Sequence, residues 1–211
     1  MDYLMIVSKF EPLPENFEKN IILKAVSGVK LESQTADMLA MMLKDAQESG
    51  TPLNVISGYR SADHQQMLWE KEISKEMEHG LDYHRAVAKA AKTLALPGES
   101  EHQTGLAVDF GTTDANDVDY SFASSAQAVW LDRNAHRYGF ILRYPRLKEH
   151  ITGIDFEPWH FRYVGAESAA MIKENGICLE EFLDYYQDKY LNSTKQGILN
   201  CASPIKSTQI D

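Results

Sequence analysis

The feature that most narrows what this chain can fold into is an ionisable residue set inside an apolar run. In Ser100-Glu101-His102-Gln103-Thr104-Gly105-Leu106-Ala107-Val108-Asp109-Phe110, a histidine ends a loop and an aspartate follows seven residues later. The segment from Gly105 to Phe110 alternates weakly and reads as a strand. A carboxylate buried in a strand is costly unless it is paired, and no cation stands near Asp109 in the sequence. A metal ion would remove that cost. Gly105 permits close backbone approach at the same place. Taken singly, each residue has a plainer reading, His102 as a surface loop residue and Asp109 as an ordinary strand-end carboxylate.

A second acid and histidine occur in Phe156-Glu157-Pro158-Trp159-His160-Phe161. His102, Asp109 and His160 together make a two-histidine, one-carboxylate set. Zinc accepts that set and keeps its fourth tetrahedral position open for water, the layout of a catalytic site. Glu157 is then placed to act as general base on that water. In a regular strand Glu157 and His160 would face opposite ways. Pro158 between them predicts irregular backbone that lets both point inward. A third motif, Ser57-Gly58-Tyr59-Arg60-Ser61, reads as a strand-to-helix turn from which Arg60 can reach into a cleft and hold an oxyanion or a carboxylate.

The periodicities around these motifs mix helices with short strands and lack strict βαβ order. Apolar residues at Met38, Leu39, Met42, Leu43 and Ala46 predict a helix over 34–49, stopped by Gly50. Strands are expected at 53–57, 105–110, 140–142 and 161–164. Ser61 is the expected N-cap of a helix interrupted at Gly80 and resumed over 85–94. Further helices are expected over 123–138, closed by Gly139, and over 167–174 and 179–190. The pattern predicts an α+β single domain with a mainly antiparallel central sheet flanked by helices, and a zinc site in a cleft on the sheet. Residues 1–190 form the expected catalytic domain, and 191–211 a polar, disordered tail.

A formal net charge of -10 disfavours nucleic acid and anionic membrane surfaces as partners. Cys178 and Cys201 lack metal-type spacing and read as free thiols in a reducing compartment. The apolar stretch from Leu4 to Val7 is too short for a signal sequence or a membrane span. A cytoplasmic protein is expected, with a removed membrane anchor as the alternative.

These motifs, in this order, carry a resemblance. Ser57-Gly58-Tyr59-Arg60, the Ser100-x-His102-x-x-Gly105-x-Ala107-x-Asp109 run and Glu157-Pro158-Trp159-His160 resemble the D-alanyl-D-alanine metallopeptidase family. The likeness extends to Tyr138–Pro145 and Phe161–Gly165 and spans roughly residues 30–190. The family includes the carboxypeptidases and dipeptidases of vancomycin resistance. The resemblance implies one Zn2+ on His102, Asp109 and His160, Glu157 as base and Arg60 stabilising the transition state. It also implies substrate contacts at Ser100 and, at the head of the arginine turn, Ser57. The implied substrate is a D-Ala-D-Ala dipeptide or a peptidoglycan precursor ending in D-Ala-D-Ala. The Glu-Pro-Trp-His form looks more like the VanY and VanXY branches than VanX. Two rivals follow from the same ligand set, an endolysin-type wall peptidase and a non-catalytic zinc module. The second would lack the base or the arginine, and both are present.

Overall fold

The computed structural model describes residues 1–115 and 117–185. The expected tail over 191–211 and the end of the helix expected over 179–190 lie outside these residues. The chain is α+β, as its periodicity predicts. A four-stranded antiparallel sheet runs in the order β3-β4-β6-β5. Its strands are β3 (Asn54–Ser57), β4 (Ala107–Gly111), β5 (Phe140–Leu142) and β6 (His160–Tyr163).

A separate hairpin, β1 (Leu23–Val26) and β2 (Val29–Glu32), was not legible in the sequence. Its turn is Ser27-Gly28, with both residues at positive φ, the geometry a two-residue hairpin turn requires. The hairpin presses against the arginine turn. A Cβ on Gly58 would stand 2.7 Å from the Lys30 carbonyl oxygen, so only glycine fits there.

Helix α1 (Ser33–Glu48) is capped by Glu32, whose side chain accepts from the Thr35 amide. Ala36, Leu39, Met42 and Ala46 are buried, as their helical spacing dictates. Most of this stripe packs on the apolar side of the sheet, formed by Val108, Phe110, Phe140, Phe161 and Tyr163. Leu131 of α4 (Ala126–Asn134) joins the same cluster.

The single helix expected over 123–138 is three pieces. A 3-10 turn over Tyr120–Ser124 precedes α4, and a second over Ala135–Tyr138 follows it. Ser125 divides the first two because its backbone is extended and its hydroxyl caps α4 by accepting from the Ala128 amide. Gly139 closes the last turn in the left-handed conformation as expected, and a Cβ there would meet the Tyr163 ring at 2.5 Å.

Helix α2 (Ala62–Glu78) starts at Ser61, whose hydroxyl accepts from the His64 amide. Helix α3 (Tyr83–Ala90) begins earlier than expected because the Asp82 side chain caps it, and it ends before Leu94. Trp69, Ile73, Ala86 and Ala90 form a small cluster between these two helices. After α5 (Glu149–Thr152), helix α6 (Ala166–Asn175) and the helical residues 179–185 pack on Ile141 and Val164.

The period of two decides the rest. Val108, Phe110, Phe161 and Tyr163 face the apolar cluster, which sends Ala107, Asp109, His160 and Arg162 to the other side of the sheet. Strand register sets Asp109 beside His160 on β6 and beside Ser57 on β3.

Candidate metal centre

His102, Asp109 and His160 converge on this second face. One ligand atom from each lies within 4.8 Å of the others, and all three residues are buried. The local structure explains each position. His102 sits in a 3-10 turn over Glu101–Thr104 that ends at Gly105. Gly105 has φ of 71°, and a Cβ there would meet the Glu32 amide nitrogen at 2.7 Å. Asp109 is at the centre of β4, and His160 opens β6 directly across from it. The expected irregularity at Pro158 is present: Glu157 to Trp159 lie outside the strand, and the His160 amide donates back to the Glu157 carbonyl. Glu157 therefore faces the same way as His160, with Oε2 3.8 Å from His160 Nδ1.

The outer hydrogen bonds determine which ring nitrogens face inward. His102 Nδ1 stands 2.7 Å from the Gly58 carbonyl oxygen, which can only accept, so His102 donates there. Its Nε2 then turns toward Asp109 Oδ2 at 3.2 Å without the alignment of a hydrogen bond, leaving that buried nitrogen without a partner. His160 presents Nδ1 to Asp109 Oδ1 at 3.1 Å and Nε2 to Glu101 Oε2 at 3.4 Å. An unpartnered buried imidazole nitrogen, a second imidazole and a carboxylate at this separation fit a divalent metal with nitrogen and oxygen preference.

The electrostatics without metal show how strongly these groups act on one another. Burial, with Arg60 nearby, pushes His102 down to about 4. Burial also disfavours charged His160, but its hydrogen bonds to Asp109 and Glu101 outweigh this and lift it to about 9. The two histidines hold Asp109 far below the usual carboxylate range despite its burial. Glu157 is raised to about 8 by burial, with the Asp109 carboxylate adding to the effect. In the metal-free site Glu157 therefore holds its proton near neutral pH; a divalent cation held by the neighbouring side chains would favour the carboxylate form, which is the form that general-base chemistry needs.

Arg60 projects to the same point, with Nη2 3.5 Å from Asp109 Oδ2. This corrects one inference from sequence: Asp109 does have a cation nearby, delivered from the turn after β3 rather than from its own strand. The Arg60 backbone is tied to the site as well, its amide donating to the His102 carbonyl at 3.2 Å. Arg60 Nε is buried and unpartnered, so the guanidinium is only partly satisfied by the protein. Ser100 is buried just before the histidine turn, and Ser57 is half-buried on β3 next to Asp109. The expected cleft is narrow, since His102, Asp109, Glu157 and His160 are each no more than 5% exposed. Two surface hollows, one between α4, β5 and α6 and one beside the N-terminal segment, hold none of these side chains.

Sequence reasoning missed Glu101, Arg143 and Arg162, all fully or nearly fully buried beside the site. The Glu101 carboxylate is engaged by both arginines and by His160, so it is not free to face a substrate ammonium. Cys178 is buried, and Cys201 lies outside the described residues.

The fold and site define an α+β hydrolase class built round a buried His-Asp-His metal set with an adjoining acid. Residues 28–166, more than half of the chain, match the family model described as VanY, D-alanyl-D-alanine carboxypeptidase, and the chain belongs to that family. It is 37% identical over 191 residues to the putative carboxypeptidase YodJ of Bacillus subtilis (strain 168), covering 86% of this chain and 67% of that protein. It is also 37% identical over 191 residues to VanXYC of Enterococcus gallinarum, a bifunctional D-Ala-D-Ala dipeptidase and carboxypeptidase, covering 88% of this chain and 95% of that protein. A crystal structure of an alanine variant of the vancomycin resistance D,D-pentapeptidase VanY with Zn(II) superposes with a TM-score of 0.77 at 35% identity. That match covers 87% of this chain and 99% of that one.

Proposed function

We propose that this protein is a zinc metallopeptidase that hydrolyses the terminal D-Ala-D-Ala bond of peptidoglycan precursors. It acts as a D,D-carboxypeptidase and also as a D,D-dipeptidase, contributing to glycopeptide resistance. The observation that carries this reading is the buried convergence of His102, Asp109 and His160 beside Glu157, in a chain of the D-alanyl-D-alanine carboxypeptidase family. The two relatives above carry carboxypeptidase names, and that of VanXYC adds D-Ala-D-Ala dipeptidase, which favours this reading over an endolysin-type wall peptidase.

His102 through Nε2, Asp109 through a carboxylate oxygen and His160 through Nδ1 would hold one Zn2+. Bound there, zinc lowers the pKa of water toward neutrality and polarises the scissile carbonyl. Glu157 takes a proton from the attacking water as its oxygen bonds to the carbonyl carbon of the penultimate D-Ala. Arg60 donates to the oxyanion that develops, with the free hydrogen-bonding capacity its unpartnered Nε supplies. The C–N bond then breaks, and Glu157 returns the proton to the leaving D-Ala amine. Ser57 and Ser100 contact the substrate.

A free dipeptide presents an ammonium next to the scissile bond, which needs a facing acceptor once desolvated. With Glu101 committed elsewhere, carboxypeptidase activity on longer precursors is the stronger of the two. The cytoplasm is the proposed location. No helix among the described residues is long and apolar enough to cross a membrane. Recovery of the native protein in the membrane fraction would count against that location.

The decisive assay gives purified protein D-Ala-D-Ala, its N-acetylated form and a pentapeptide precursor, with and without chelator. Release of D-Ala from the pentapeptide, abolished by chelator and restored by Zn2+, is expected. Chelator-resistant activity would overturn the metal reading. Strong preference for the free dipeptide would overturn the length preference.

A further inference from the structure

Behind the candidate ligands lies a buried charge cluster that the proposed reaction does not use. Glu101 Oε1 accepts from Arg143 Nε and from Arg162 Nη1, each at 2.7 Å. Its other oxygen, Oε2, faces His160 Nε2 at 3.4 Å. The Glu101 and Arg162 side chains are fully buried and Arg143 is 2% exposed. Each arginine is anchored at its far end. Arg143 forks onto Glu180 through two hydrogen bonds of 2.9 and 2.6 Å. Arg162 donates to the carbonyls of Tyr3 and Met5 in the N-terminal segment.

Three buried charges brought together in this way cost stability unless their geometry serves something. The geometry points to His160. A carboxylate can only accept, so a neutral His160 facing Glu101 carries its proton on Nε2. The lone pair then lies on Nδ1, the nitrogen turned toward Asp109 and Glu157. Two arginines bonded to Oε1 hold the Glu101 carboxylate against rotation, so Oε2 remains at His160.

We propose that Glu101, clamped by Arg143 and Arg162, is a positioning residue that fixes His160 with Nδ1 free for the metal. This rests on the zinc reading above. Outer partners of metal-binding histidines commonly change metal affinity about 10- to 100-fold when removed. Here the effect of Glu101→Gln has a specific direction. The arginines would hold the amide oxygen, turning the NH2 toward His160 Nε2. That nitrogen would then have to accept, the proton would move to Nδ1, and the lone pair would turn away from the site.

The test measures zinc affinity of the full chain by competition with a chromogenic chelator, in wild type and in Glu101→Gln. A loss of about 10- to 100-fold in the folded variant is expected. Affinity within twofold of wild type, with or without a drop in Tm, would reduce Glu101 to a structural charge partner and overturn the proposal. If wild type itself binds no zinc, the functional reading fails rather than this one. Should Glu101→Gln not fold, imidazole 15N–1H NMR of the zinc-loaded wild type decides alone. An exchange-protected proton on His160 Nε2 supports the proposal, and a proton on Nδ1 overturns it.

Discussion

The two faces of the β4–β6 pair are made by alternate residues of the same strands, yet they behave oppositely. Val108, Phe110, Phe161 and Tyr163 enter the main hydrophobic cluster, with Phe110 and Phe161 edge to face at 5.6 Å. Asp109, His160 and Arg162, one residue out of step, carry buried charge on the other side. The first face draws its stability from area removed from water. The second pays desolvation for every group and recovers it only through partners placed by distant segments: Gly58, Glu101, Arg60 and the proposed metal. The difference teaches that this sheet separates folding from chemistry by side-chain parity. Substitutions on one face should therefore change stability without chemistry, and on the other chemistry more than stability.

The largest expected effect belongs to the charged face. Glu157→Gln should retain stoichiometric zinc and lose about two to four orders of magnitude in turnover, because the amide cannot take the water proton. Near-normal turnover of a zinc-loaded variant would end the general-base assignment. Next comes Phe110→Ala, which opens a cavity in the apolar face. Denaturant unfolding should show a loss of about 3–5 kcal/mol, while chelator competition shows zinc affinity of the folded protein unchanged. A parallel loss of zinc affinity would break the separation of the faces.

Arg60→Lys keeps the charge and loses the planar fork, so turnover should fall about 10- to 100-fold with little change in KM. An altered KM at constant turnover would instead make Arg60 a clamp for the substrate carboxylate. The smallest effect concerns pH. In metal-stripped protein both Glu157, at about 8, and His160, at about 9, hold protons more tightly when folded than when unfolded. Their contribution is complete below the unfolded values and is lost as pH rises through the folded ones. His102, lowered to about 4, acts only below 6.5. Thermal unfolding should therefore show stability falling from pH 6.5 to 9, less steeply in Glu157→Gln. A flat profile would show that the polar face does not titrate as a coupled set.

Much of this was legible in the chain itself. Helical spacing gave α1 within one residue at each end, and Ser61 and Gly139 marked real boundaries. The Pro158 irregularity, the inward turn of Glu157 and the grouping of His102, Asp109 and His160 were likewise readable, since each depends on local pattern or on ligand chemistry. The break at Ser125 was missed because a serine cap and a helix interior differ by one side-chain hydrogen bond. The β1–β2 hairpin was missed because its strands are only four residues each and their exposed and covered positions do not alternate strictly.

What the sequence determined, then, is which residues can carry the chemistry and which side of each strand they occupy, because residue type and a period of two are properties of the chain alone. What only the tertiary structure decided is their electrical setting. Glu101, next to a ligand in sequence, becomes a buried acceptor because Arg143, just after β5, and Arg162, on β6, arrive from 42 and 61 residues away. Arg60 meets Asp109 across 49 residues. Coulomb energy and hydrogen bonding depend on separation in space and on burial, and neither is set until the strands pair in register.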